Sequence, residues 1–230
     1  MGSEELGFFG SLAKQFQDGG IGMWPIAFMS VFAVSVLAER FFVLFFKTNI
    51  NKDAFMRGLK KHIYAGDLDK AISFVASQKR TPLTAVVKAG LINVPKGEAE
   101  VQAAMDEASL RESPILEKRT GYLSMIGNVS TLFGLLGTII GLIKCFGAVA
   151  QVDPATKATV LSLGISEAMN CTAFGLVVAI PSLLAFSFLQ GRTQHMLDDL
   201  NETTVGLLNL IIANKDKMKM PATIPVQSDE

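Results

Sequence analysis

The sequence predicts an all-α, polytopic membrane protein with three transmembrane helices and a helical cytoplasmic domain, and three observations predict it. Half of the 230 residues are hydrophobic and 18% are charged, with a mean hydropathy of +0.38, which departs from a soluble domain. Three stretches nearly free of charge are long enough to cross ~30 Å of hydrocarbon at ~1.5 Å per residue. Between the first two lie thirteen of the 21 Lys and Arg residues, and by the positive-inside rule that segment is cytoplasmic.

Residues 1–22 place Leu6, Phe9, Leu12, Ala13 and Phe16 at helical spacing. This reads as a periplasmic amphipathic segment on the membrane surface, or as a frayed terminus with chance periodicity. Glu4 and Glu5 stand where a signal peptide has cations, which argues against a cleaved leader. From Gly19 to Ala38 there are 20 residues without a charge, and apolar character resumes after Glu39 and Arg40. The first span is therefore expected over 23–46, with Glu39 and Arg40 as a paired or snorkelling couple near one membrane face.

The cytoplasmic helical domain is expected over 47–119. Its helices are read near 51–64, over 68–78 behind Asp67 as N-cap, near 82–93 opening on Pro82, and from about Gly97 toward the membrane with a kink at Pro114. His62 reads as a surface residue of this bundle.

The second span, 120–149, opens with 24 uncharged residues before Lys144. Gly127, Thr131, Gly134, Thr138, Gly141, Cys145 and Ala148 follow spacings of 4, 3, 4, 3, 4 and 3, a continuous stripe of small side chains. Such a stripe serves a tight helix interface or lines a pore. Lys144 reads as snorkelling to the interface. A periplasmic turn over 150–157 leads to the third span, 158–190, where Gly164, Ala168, Cys171, Gly175, Ala179 and Ser182 share a face. Glu167 lies at one edge of that face and Thr172 at the other, and Pro181 is a structural kink. A cytoplasmic helical extension over 191–219 has Met196, Leu200, Leu207, Leu208 and Ile211 available for packing. The tail, 220–230, reads as disordered.

A carboxylate at membrane depth is costly, and such residues face a bundle interior or a water path and serve ion movement. Glu167 is therefore the expected functional centre, with Thr138 and Thr172 completing a proton pathway. Thr131, Gly134, Gly141, Asn170, Cys171 and Gly175 are candidate pore or partner contacts. Net charge is zero, so nothing points to nucleic acid. His62 and His195 lie outside the spans, so no catalytic residues, no metal site and no cofactor are expected, and the chain does not read as an enzyme. A non-conducting scaffold, with Glu167 bonded to a neighbouring helix, is the alternative of another class.

Two strings, LFGLLGTIIGLIKCF and GISEAMNCTAFGLVVAIPSL, together with three spans and a large inner domain, resemble the TolQ, ExbB and MotA proton-channel family. The likeness is closest to the TolQ/ExbB branch, since the flagellar branch normally has four spans. The resemblance implies that Glu167 is the pore carboxylate and that Thr138 and Thr172 are pore-lining. It also implies a homopentamer around two copies of a single-pass ExbD- or TolR-like partner with a transmembrane Asp. The expected activity is that of a stator subunit in the bacterial inner membrane, N-terminus periplasmic and C-terminus cytoplasmic. It would turn proton-motive force into work for outer-membrane transport or envelope processes, or alternatively for gliding motility. Asn170-Cys171 departs from the small or apolar pair commoner in the family.

Overall fold

The computed structural model describes Gly10, Phe16, Gly20 and residues 22–48 and 50–214. Most of the expected amphipathic segment over 1–22 and all of the tail over 220–230 lie outside the described residues. Every regular element among the described residues is helical. The chain divides into two compact units, Met1–Arg40 with Arg119–Leu189 and Phe41–Lys118 with Gln190–Glu230.

The first unit holds the apolar helices. Helix α1 spans Met23–Phe42 and passes into a π-helical turn, Val43–Lys47. In the second unit, α2 (Lys52–Tyr64), α3 (Leu68–Ser77), α4 (Pro82–Asn93) and α5 (Glu98–Glu117) follow. Helix α6, Thr120–Val149, returns to the first unit, and α7, Lys157–Asn214, runs on from it into the second. Among the described residues, three helices are long and apolar enough to cross a membrane. Trp24, Phe28, Leu132, Ile143 and Leu184 stay exposed along them, as expected for surfaces whose burial comes from lipid or other chains.

At one end of the first unit, Glu39 finds a partner 80 residues away. The Arg119 Nη1 donates to both Glu39 carboxylate oxygens, at 2.6 and 2.7 Å, while Arg40 reaches Glu39 at 3.3 Å. Arg119 is the N-cap of α6 and has a left-handed backbone, φ 63°, a strained position for a side chain with a Cβ. The ion pair holds that strained corner against α1.

Local chemistry sets the short helices of the second unit. Asn51 and Asp67 accept from backbone N–H groups of the first turns of α2 and α3. Thr81 and Thr84 form a buried capping box around Pro82, the first residue of α4. Pro114 lies inside α5, which continues to Glu117. The apolar faces of α2–α5 meet Leu200, Leu207 and Ile211 of α7 in one core with Phe55, Leu59, Leu91 and Met105.

Candidate functional site

Helices α6 and α7 run antiparallel at very short range, and the small residues make this possible. A Cβ at Gly175 would stand 2.8 Å from the Ser130 carbonyl oxygen, and one at Gly134 would stand 3.2 Å from the Cys171 carbonyl oxygen. Further toward the α6–α7 turn, a Cβ on Gly141 would meet the Ala168 Cβ at 2.9 Å, and one on Gly164 would meet the Cys145 Sγ at 2.3 Å. Side chains larger than hydrogen at these points would push the backbones apart. The two small stripes therefore face each other along much of the seam.

Close backbones bring polar groups of the two helices into contact. Thr172 Oγ1 lies 3.1 Å from the Gly134 carbonyl oxygen, and Thr138 Oγ1 lies 3.1 Å from the same oxygen and 3.2 Å from that of Ala168. The two hydroxyls also contact each other. Each hydroxyl has one proton to donate and lone pairs to accept with, so there are more acceptors here than donors. A pair of this kind can exchange donor and acceptor roles without moving its helices. Thr131 donates within its own helix, to Gly127, at 3.1 Å.

Glu167 is exposed and faces another side of α7. Its Oε1 lies against Gly20, where a Cβ would come within 2.3 Å, and Gly20 has φ +67°. Only glycine enters that backbone region freely, so the bend ahead of α1 leaves the carboxylate its space. Glu167 lines a cavity of about 320 Å³ with Gly22, Gly137, Gly141, Lys144 and Cys171. Among the described residues no hydrogen bond joins Glu167 to Thr138 or Thr172. The threonines are thus a pair in the seam, and the carboxylate occupies the neighbouring cavity. They connect through the backbone, because Thr138 reaches the carbonyl of Ala168, the residue after Glu167.

The remaining candidates divide between these places. Gly134 and Gly175 form the seam, and Gly141 and Cys171 belong to both the seam and the cavity wall. Asn170 is half-buried. Pro181 lies within α7 without ending it and borders a second, apolar cavity of about 470 Å³ with Ser30, Val34, Leu37 and Phe174. Sequence reasoning placed Lys144 at the interface and did not connect it to Glu167. The available signal was its position one turn beyond Gly141, on the helix that carries the small stripe.

The sequence model of the MotA/TolQ/ExbB proton channel family matches residues 78–202, which contain the seam, Lys144 and Glu167. The chain is 29% identical over 211 residues to the biopolymer transport protein exbB1 of Vibrio cholerae, covering 87% of this chain and 88% of that one. It is 38% identical over 97 residues to the Tol-Pal system protein TolQ of Pseudomonas aeruginosa, covering 42% of each. Among solved structures it is similar in fold to C. jejuni MotAB, with a TM-score of 0.61 at 15% identity, over 92% of this chain and 89% of that one.

Proposed function

The chain belongs to the MotA/TolQ/ExbB proton channel family, and from that premise we propose that it is the proton-conducting stator subunit of an inner-membrane motor. It performs no covalent chemistry in this reading. Protons cross at Glu167, and their passage turns or shifts the subunit against a single-pass partner of the ExbD or TolR kind, two copies of it within a ring of five of these chains. The observation that carries the reading is a carboxylate in a largely apolar cavity, one residue from a carbonyl held by Thr138, whose hydroxyl contacts that of Thr172. Membrane potential supplies ~2.3 kcal/mol per charge per 100 mV. The exposed apolar faces of α1, α6 and α7 support a ring, because a closed two-helix seam encloses no lumen by itself.

In this orientation the N-terminus is periplasmic, the α6–α7 turn is periplasmic, and the second unit is cytoplasmic. The thirteen cationic residues over 47–119 support that placement. The load is outer-membrane transport or envelope maintenance.

Proton flux into liposomes holding the full chain with its accompanying subunits tests the reading. Glu167→Gln should lower pH-gradient-driven flux at least about tenfold, the loss of a group acting directly in proton transfer. Unchanged flux in that variant would instead make Glu167 a structural bond in a non-conducting scaffold.

A further inference from the structure

The cavity beside Glu167 is lined by a second charged residue. Lys144, on α6, lines it together with Glu167, on α7. The placement follows from the seam: Gly141 is pressed on Ala168, Cys145 is pressed on Gly164, and Lys144 lies between those two contacts along α6. It therefore lies on the stretch of α6 that packs beside Glu167. The two charges form no direct ion pair among the described residues, so they share the space across a gap that water can fill.

The rest of the wall offers little to a metal cation. Pro25, Phe133, Leu136 and Ile140 are apolar, and the glycines, Ala168 and the Cys171 thiol add no side-chain oxygen. Sodium is held by electrostatic attraction and by several oxygen ligands together. A lone carboxylate could recruit it, with water completing its coordination. A carboxylate with an ammonium lining the same cavity has no net charge to attract it, and the ammonium repels it. A proton differs because it forms an O–H bond to the carboxylate itself and needs no coordination shell.

We infer that Lys144 is the ion-specificity residue of this channel, and that its ammonium excludes sodium and other metal cations from the Glu167 cavity while leaving it open to protons. The inference rests on the proposed conduction at Glu167 and deepens it. Lys144 acts by its charge at a distance, as a positioning residue of the field around the carboxylate.

The test uses the full chain with its accompanying subunits in liposomes, with proton flux measured in sodium or choline chloride at equal ionic strength, and radioactive sodium uptake measured beside it. Wild-type flux should be the same in both salts. In Lys144→Gln and in Lys144→Met, sodium should compete, reducing proton flux on the order of tenfold relative to choline, and Lys144→Arg should restore indifference to sodium. Two neutral variants carry the test, so misassembly of one leaves the other decisive. Neutral variants as indifferent to sodium as the wild type overturn the inference, and so does a wild type that sodium already inhibits. Normal flux in Glu167→Gln overturns the conduction reading itself, separately from any result at Lys144.

Discussion

At the scale of single residues, the seam hydroxyls offer a measurable separation of stability from transport. Thr138 and Thr172 each contact a carbonyl of the opposite helix and each other. Replacing either by Val keeps shape and removes the hydroxyl, at about 1 kcal/mol for one hydrogen bond. If the pair relays protons or holds water for Glu167, Thr138→Val and Thr172→Val should each lower proton flux several-fold. The thermal unfolding midpoint should change by only a few degrees. Because the two share one contact, the double variant should lose less than the sum of the singles. Additive losses would place the hydroxyls on separate tasks.

At the scale of elements, the approach of α6 to α7 depends on the absence of side chains. The space at Gly175 is bounded by backbone, the Ser130 carbonyl oxygen and the Gly134 Cα, which cannot swing aside as a flexible side chain can. Gly175→Leu should therefore separate the helices and destabilise the purified chain by about 1–3 kcal/mol or more, seen as a lower unfolding temperature together with lost flux. In the second unit, Lys52 at the start of α2 bonds Asp199 and Glu202 of α7, at 2.8 and 2.5 Å. The hydrogen bond to Asp199, then that to Glu202, holds the Lys52 ammonium above the usual lysine range. A raised folded-state value means that this contribution is complete at neutral pH and is lost as pH rises through the lysine range, above about 10. Solvent access limits it to about 1 kcal/mol or less. The difference in unfolding temperature between the wild type and Lys52→Met should thus hold steady on either side of neutrality and vanish in strong alkali.

At the scale of the whole molecule, the two units are stabilised by different solvents. The second unit is built like a water-soluble bundle, with capped amphipathic helices around Leu59, Leu91, Met105 and Leu207. The first unit buries small residues in its seam and turns Phe28, Leu132 and Leu184 outward. Without a hydrophobic drive between helices in lipid, close packing and interhelical hydrogen bonds hold them together. Two charged sites of the first unit lie apart from each other. Glu39 and Arg119 pair where α1 nears its end and α6 begins, and Glu167 shares its cavity with Lys144 near the α6–α7 turn. In the proposed orientation the first pair lies at the cytoplasmic face and the second toward the periplasm.

The sequence by itself determined the helices: three apolar spans, the Asp67 cap, the Pro82 helix start, and the two small stripes. Helix formation rests on hydrogen bonds between residues four apart and on one periodic face, so a short window of sequence contains the information. It also singled out Glu167, because a charge at membrane depth is expensive wherever its neighbours lie. Only the tertiary structure decided which side chains share a space. The rotation of α7 against α6 put Thr138 and Thr172 in one seam, turned Glu167 into the next cavity and brought Lys144 there too. It also joined Glu39 to Arg119 across 80 residues. Rotation and axial register follow from contacts all along both helices, where glycine lets backbones touch, and no local window of the chain contains that sum.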